Sequence, residues 1–299
     1  MTEKKSDWQP IAALLLGATL WGTMWWPLRH FETAGLSGGW MLFASYGLAA
    51  LVALPWMWRS RRDWRQAPGV LLLLVIFGGW TNVAFSFAVL EGQVVRVLLL
   101  FYLAPVWSIL GGRIFLGERL SAYRLLAMLI ALTGALLVLV HGDPRKLAET
   151  PLIRADWLAL SAGIAFAATN ITLRFSPGMS NANRAGAVWI GVALFALIAV
   201  LLESGGTPSV SGVLFLQIAL FTLGWLMLAT LLIQFGVVHM EVGRSSVIML
   251  FEIIVGAVSA ALLAGETIAL LEWVGALFIV SAAWLEARDT DQGHPATQP

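Results

Sequence analysis

One acidic side chain stands in the middle of a long apolar run. Glu252 lies in the stretch VIMLFEIIVGAVSAALLAGET, residues 247–267, where most of the other residues are apolar or small. A charged group at the centre of a bilayer costs about 2.5–3.5 kcal/mol on insertion scales, and such residues usually pair with a partner or face an interior path. The carboxyl could therefore meet the ammonium group of a substrate or carry a proton. Alternatively, it could stay neutral and hydrogen-bond to a Ser, a Thr or a backbone carbonyl.

Other polar and aromatic side chains occur at similar depth in other apolar runs. Amides and hydroxyls would suit the head of a zwitterion, and deep aromatic rings would suit an apolar or aromatic side chain. Each such residue alone is more often an interhelical hydrogen bond than a ligand contact. The set is of interest because it comes from several runs in nearly symmetric pairs. The candidate substrate-binding residues are Trp21, Thr23, Met24, Asn82, Ser86, Phe101, Tyr102, Thr169, Asn170, Thr230, Gln234 and Glu252.

The composition of the chain is that of a membrane protein. Its 299 residues are 59% hydrophobic and 12% charged, whereas a soluble globular domain is about 25% charged. Apolar runs long enough to cross about 30 Å of hydrocarbon as helices follow one another almost without pause. The absence of cysteine excludes disulfides and thiolate metal sites, and the net charge of +1 gives no sign of nucleic-acid binding.

Apolar length and flanking breakers predict ten transmembrane segments, which we number in chain order. Short connections with turn residues separate them. The predicted segments are Ile11–Leu28, Gly38–Trp56, Gly69–Leu90, Val94–Leu116, Tyr123–Val140, Trp157–Phe175, Ala185–Leu202, Val210–Val238, Ser245–Ala264 and Leu270–Glu286.

The basic residues set the orientation, because cytoplasmic loops retain Lys and Arg. With the N-terminus inside, 13 of the 18 basic residues fall on the cytoplasmic side and 5 outside. The stretch WRSRRDWR, residues 58–65, is the strongest anchor. We therefore expect both termini to be cytoplasmic.

The sequence contains an internal repeat at an offset of 148 residues. The block VRVLLLFYLAPVWSILGGRIFLGERLS, residues 95–121, aligns without gaps to GRSSVIMLFEIIVGAVSAALLAGETIA, residues 243–269, so that Gly117-Glu118 falls on Gly265-Glu266. The domains are then a first five-helix repeat (1–142), a periplasmic connection (143–156), and a second five-helix repeat with a short cytoplasmic tail (157–299). Because five is odd, the second repeat should be inverted relative to the first, as in many secondary transporters that bind substrate between their halves.

Several other functions find no support in the residues. No phosphate-binding GxxxxGK[ST] loop is present, and no cytoplasmic loop could hold an ATPase domain. All four histidines lie at segment ends, in loops or in tails, so an intramembrane hydrolase lacks a buried nucleophile–base pair or metal cluster. No filter-like segment suggests a selective channel. We expect no enzymatic activity, no cofactor and no metal.

The two repeats resemble the drug/metabolite transporter superfamily, and specifically its EamA-type exporters. The resemblance rests on LW-G-T at residues 20–23, on YLAPVWSILGGRIFLGERLS at residues 102–121, and on its second-half equivalent LFEIIVGAVSAALLAGETI. Ile253 stands where that block commonly has proline, which predicts a less kinked ninth helix. The stretch GGWMLFASYG is similar to YddG-type aromatic amino-acid exporters, although Ala104 and Phe166 replace aromatic positions of that group. The resemblance implies export of amino acids or similar metabolites through a central cavity.

These observations predict an all-α polytopic membrane protein with two inverted repeats around a central cavity. We expect a secondary or facilitative exporter in the bacterial inner membrane, working by alternating access on aromatic and other neutral amino acids. Its partners would be the small-molecule substrate and the lipid bilayer, and it would be a monomer or a loose homodimer. Export of another metabolite or a cationic drug, or a non-transporting scaffold or sensor, remain alternatives.

Overall fold

The chain folds into a bundle of helices. The computed structural model describes residues 8–92, 94–118, 121–139, 151–176, 178–202, 207–208, 210–264 and 270–288. Within these ranges the secondary structure is helical and no residue belongs to a β-strand. The prediction of an all-helical polytopic membrane protein is confirmed. The predicted periplasmic connection, for the most part, and the second Gly-Glu pair, Gly265-Glu266, lie outside the described residues.

The helices follow the predicted segments in order. Eight of the described helices are long and apolar enough to cross a membrane, and two shorter apolar helices, Ala122–Leu137 and Trp273–Leu285, stand at the places of the fifth and tenth segments. The eight are Trp8–Thr33, Gly38–Arg59, Pro68–Glu91, Val97–Leu116, Arg154–Arg174, Asn181–Leu202, Gly212–His239 and Val242–Leu263.

The fourth and ninth segments are interrupted at matching points. The fourth consists of Val94–Phe101 and Ala104–Leu116, and the ninth of Val242–Met249 and Phe251–Ala264. The first halves end at residues 101 and 249, which are related by the 148-residue offset of the repeat. Pro105 accounts for the first interruption, because proline has no N–H and its ring restricts the preceding residue. The ninth segment is interrupted without a proline.

The third and eighth segments share a second local feature. Each contains one π-helical turn, Leu74–Gly78 in the third and Thr222–Leu226 in the eighth, and these turns are also 148 residues apart. A π-helical turn leaves local backbone groups differently paired and often marks a functional position. The two π-helical turns therefore stand at positions that the 148-residue sequence repeat relates to each other.

The contacts between segments also follow the 148-residue repeat. The first segment packs on the eighth and ninth, and the sixth packs on the third and fourth. The second packs on the seventh, and the fifth on the tenth. These pairs exchange when each segment is replaced by its equivalent in the other half. The fourth and ninth segments meet each other through the helices Ala104–Leu116 and Val242–Met249.

The seventh segment begins earlier than the apolar pattern predicts. Its helix starts at Asn181, not at Ala185, and includes Asn183 and Arg184. The Asn183 amide donates to the Asp63 carboxylate at 2.7 Å and to the Ser60 carbonyl at 2.9 Å. Because the Asn183 amide bonds to the loop after the second segment, the helix begins four residues before the apolar run that hydropathy detects.

Candidate substrate site between the fourth and ninth segments

The centre of the site is a hydrogen bond between the two interrupted segments. Tyr102 lies in the interruption of the fourth segment, and its hydroxyl donates to Oε1 of Glu252 at 2.5 Å. Glu252 stands in the first turn of the helix Phe251–Ala264. Among the described residues no Lys, Arg or His forms an ion pair with this carboxyl. Two of the candidate residues are thus brought together, and the partner of the acid is a tyrosine hydroxyl, not a Ser, a Thr or a backbone carbonyl.

A small pocket lies beside this pair. It has room for about one water molecule. Aromatic rings form one wall: the ring centroid of Phe101 lies 5.6 Å from that of Phe166 and 5.4 Å from that of Tyr102. The structure is therefore closed around Glu252, and a ligand larger than water would enter only after the pocket widens. The lining residues are Phe101, Tyr102, Ala104, Pro105, Phe166, Ser246, Met249, Leu250 and Glu252.

The first segment packs directly against the backbone of Glu252. A Cβ placed on Gly22 would lie 2.5 Å from the carbonyl oxygen of Glu252 and 2.8 Å from Cβ of Val255. Farther along, Nε1 of Trp25 donates to Oγ of Ser259 at 2.9 Å. The glycine of the LW-G-T motif is therefore the residue that lets the two helices approach at the level of the acid.

The other candidates of the first segment take part in helix packing. The Thr23 hydroxyl donates to the Thr19 carbonyl at 2.8 Å, within its own helix. Met24 is buried in the main hydrophobic core, and Trp21 is half-buried against the same core. None of these three side chains lines the pocket beside Glu252.

The polar pair of the third segment bonds within the bundle. Tyr46 of the second segment donates its hydroxyl to Oδ1 of Asn82 at 2.8 Å, and Nδ2 of Asn82 donates to the Gly78 carbonyl at 3.0 Å. Gly78 ends the π-helical turn, so this amide bonds to a carbonyl of the irregular turn. The Ser86 hydroxyl donates to the Asn82 carbonyl at 2.8 Å. Both residues are engaged in holding the third segment.

Thr230 is the equivalent of Asn82 in the eighth segment and has a similar environment. Nε1 of Trp189 in the seventh segment donates to the Thr230 hydroxyl at 3.3 Å, and that hydroxyl donates to the Leu226 carbonyl at 2.8 Å. Leu226 ends the π-helical turn of this segment. Thr169 likewise donates to the Ala165 carbonyl of its own helix at 2.8 Å.

Two candidate amides are buried with one polar atom unpaired. Asn170 is 2% exposed and its Nδ2 has no hydrogen-bond partner, while Gln234 is 6% exposed and its Oε1 has none, within the described part of the chain. Buried polar groups are normally hydrogen-bonded, so each unpaired atom calls for an explanation. Asn170 lies one helical turn after Phe166 of the pocket wall, on the same helix face. This spacing places Nδ2 of Asn170 near the pocket wall that Phe166 forms.

The first Gly-Glu pair connects the fourth segment to the start of the ninth. Gly117 has φ +68°, a left-handed conformation that ends the helix and favours glycine. Glu118 then accepts a hydrogen bond from the Val242 N–H at 2.9 Å. Burial raises the pKa of the Glu118 carboxyl, and this effect outweighs the opposing hydrogen bond from Val242. The nearby Arg124 pairs with Glu241, so this end of the two segments is tied by charged groups.

Sequence reasoning missed several residues that build the site. Ser246 lines the pocket, and Tyr46 and Trp189 hold Asn82 and Thr230, yet none of the three was a candidate. Tyr46 and Trp189 lie in apolar runs where aromatic residues are ordinary, so only their contacts reveal them. A closer look at the serines that precede Glu252 would have found Ser246.

Comparison with known proteins gives a family match for part of the chain. Residues 8–140 match the EamA-like transporter family. Residues 8–140, less than half of the chain, therefore form an EamA-like transporter family domain, as the resemblance to the drug/metabolite transporter superfamily predicted, whereas the YddG-type likeness stays a prediction. No curated protein matches the chain.

The fold is shared with solved structures over nearly the whole chain. One of them, described as "Crystal structure of protein", has a TM-score of 0.73 and 14% sequence identity, and the match covers 94% of this chain and 96% of that chain. In all, 26 chains of solved structures match. At this identity the likeness shows the fold alone.

Proposed function

We propose that this membrane transporter exports aromatic and other neutral amino acids from the bacterial cytoplasm. Its ten segments would cross the inner membrane as two inverted five-helix repeats, with both termini on the cytoplasmic side. The exchange relation in the packing, the paired interruptions and the paired π-helical turns support two equivalent halves. The excess of basic residues on one side supports the orientation.

The observation that carries the proposal is the Tyr102–Glu252 pair between the two interrupted helices. A partly buried carboxyl with a single hydroxyl partner can exchange that partner for an ammonium group, which donates up to three hydrogen bonds and carries the opposite charge. The rings of Phe101 and Phe166 beside it would receive an aromatic or apolar side chain. We infer that the substrate ammonium displaces the Tyr102 hydroxyl from Glu252 when the pocket widens.

The unpaired amide of Asn170 supports a zwitterion as the substrate. Its Nδ2 donor could bind the α-carboxylate while Glu252 binds the ammonium group, both from the second repeat, and Phe101 of the first repeat would contact the substrate side chain. A substrate that contacts both halves can favour one arrangement of them over another, which is the requirement for alternating access. The same geometry suits facilitated or proton-coupled transport, since Glu252 could carry a proton on the return step.

A second candidate is an organic cation, because none of the residues that line the pocket is basic. Counterflow of labelled phenylalanine in liposomes containing the purified protein tests the choice. We expect unlabelled neutral amino acids to compete, and Asn170→Leu to impair amino-acid transport. Competition by organic cations alone would overturn the amino-acid proposal and favour the second candidate.

A matched pair of variants tests the role of the acid. Glu252→Gln removes the charge at the pocket, and Glu91→Gln removes the same charge from a surface pair with Arg154 at the end of the third segment. We expect the first to abolish counterflow and the second to leave it unchanged. Equal activity of both variants would remove Glu252 from the mechanism, and absence of flux for every substrate in the unaltered protein would favour a scaffold or sensor.

A further inference from the structure

The loop after the second segment carries a dense group of positive charges. Arg59, Arg61, Arg62 and Arg65 are all exposed, and none of them forms an ion pair within the part of the chain that the structure describes. Four guanidinium groups within seven residues repel one another unless anions lie nearby. The loop therefore presents an unneutralised cationic surface, which we call the arginine ledge (residues 59–65).

The one acidic residue of the ledge does not neutralise it. Asp63 turns to the start of the seventh segment, where its Oδ2 accepts hydrogen bonds from the Ser180 N–H at 2.9 Å and from Nδ2 of Asn183 at 2.7 Å. Burial acts to raise the pKa of the Asp63 carboxyl, but these hydrogen bonds and the charge of Arg184 lower it on balance. The Asp63 carboxylate is thus bonded to the start of the seventh segment and does not pair with the arginines of the ledge.

The same contacts hold the ledge in a fixed position. Nε1 of Trp64 donates to Oδ1 of Asn183 at 3.0 Å, and the ring of Trp64 lies edge-on to that of Trp58 with centroids 5.8 Å apart. The guanidinium of Arg61 lies over the Trp58 ring, 5.7 Å from its centroid. The ledge is therefore attached to the seventh segment by hydrogen bonds.

The exposed tryptophans indicate the level of the ledge in the membrane. Trp56 and Trp58 at the end of the second segment are 54% and 62% exposed. Tryptophan at segment ends lies at the headgroup level of a bilayer. The arginines that follow would then lie beside the phosphates of the lipids.

We propose that the arginine ledge binds the headgroup of an anionic phospholipid. The planar guanidinium group can donate two parallel hydrogen bonds to one phosphate, and Arg61 is already oriented by Trp58. Positive charge alone is enough to keep the loop in the cytoplasm. That role requires neither the hydrogen bonds that attach the ledge to the seventh segment nor the pairing of Asp63 with Asn183. A bound anionic lipid would tie the second segment, the ledge and the seventh segment together at the membrane surface.

Lipid binding to the purified full-length protein, measured by native mass spectrometry, tests this site without reference to transport. We expect phosphatidylglycerol to bind more tightly than phosphatidylcholine and to resist displacement by inorganic phosphate. Arg61→Gln with Arg62→Gln should weaken phosphatidylglycerol binding about 25-fold, because each arginine near an anionic surface contributes about a fivefold change in affinity. Arg61→Lys with Arg62→Lys keeps both positive charges, so this double variant should lose less affinity for phosphatidylglycerol.

A control double variant removes two charges elsewhere. Arg29→Gln with Arg154→Gln changes exposed arginines on segments other than the second and outside the ledge, and should leave lipid affinity unchanged. Equal weakening by the two double variants would overturn the proposal, as would equal binding of the two lipids. Displacement of the lipid by inorganic phosphate would show a general anion site and would also contradict it.

Discussion

The close approach of the first segment to Glu252 gives a prediction that needs no knowledge of the substrate. In Gly22→Ala the new methyl group would lie 2.5 Å from the Glu252 carbonyl oxygen and 2.8 Å from Cβ of Val255. Neither atom is the far end of a flexible side chain, so the two helices must separate by roughly half an ångström or more, since Cβ contacts under about 3.0 Å do not occur. Overpacking of this kind costs about 1–3 kcal/mol.

A matched control variant isolates this cost. Gly47→Ala makes the same change in the second segment, where a Cβ would meet no atom within 4 Å. Alanine in a helix interior gains up to about 1 kcal/mol over glycine, so this control should be neutral or more stable than the original protein. The same gain applies to Gly22→Ala and leaves a net loss of up to about 2 kcal/mol. The two variants should therefore differ by about 1–3 kcal/mol.

Thermal unfolding of the purified variants in one detergent measures this difference. We expect Gly47→Ala to melt at or above the temperature of the original protein, and Gly22→Ala to melt below it. Gly22→Ala should also impair transport, because the displaced helix carries Glu252. If both alanine variants melt together, the first segment does not contact the ninth at Gly22, and the arrangement of the site described above is wrong.

Three further variants test the charged and hydroxyl groups. Glu118→Gln should stabilise the protein more as the pH rises. The pKa of Glu118 is raised in the folded state, so its ionisation costs stability at pH values above the pKa of an unfolded glutamate. Thermal melts at two pH values measure this effect. Asp63→Asn should cost about 1–2 kcal/mol at neutral pH and nothing at acid pH, because a lowered pKa means that the ionised form stabilises the fold; a pH series of melts measures this. Tyr102→Phe should destabilise the empty protein by about 1–3 kcal/mol, since it leaves the Glu252 carboxyl unpaired, and should enlarge the thermal shift that a bound amino acid produces. An unchanged shift would show that the hydroxyl does not compete with substrate.

The order and approximate extent of the helices could be predicted from the sequence, because a helix that crosses the hydrocarbon needs a long run of apolar residues. The start of the seventh segment could not, because Ser180 and Asn183 appear as loop residues until they are seen to donate hydrogen bonds to Asp63. The interruption of the ninth segment also carried no proline signal. The start of the seventh segment depends on contacts between residues that lie far apart in the chain, and nothing in the sequence explains the interruption of the ninth.

The candidate site was predicted in part. Glu252 was found because a carboxyl is conspicuous in an apolar run, and Tyr102 was a candidate, but their hydrogen bond joins residues 150 positions apart and leaves no local pattern. Asn82 and Thr230 were chosen as cavity groups because a polar side chain has the same appearance in a sequence whether it bonds a neighbouring helix or a ligand. In the structure Tyr46 and Trp189 donate hydrogen bonds to them, and their role as substrate-binding groups stays a prediction.

Recognition of an ammonium group by Glu252 is the central claim, and ligand binding to the purified protein tests it most directly. Calorimetric titration would compare phenylalanine with 3-phenylpropionate, which keeps the ring and the carboxylate but lacks the amino group. We expect phenylalanine to bind, phenylpropionate to bind much more weakly, and Glu252→Gln to remove the difference. Equal affinity of the unaltered protein for the two compounds would contradict the claim.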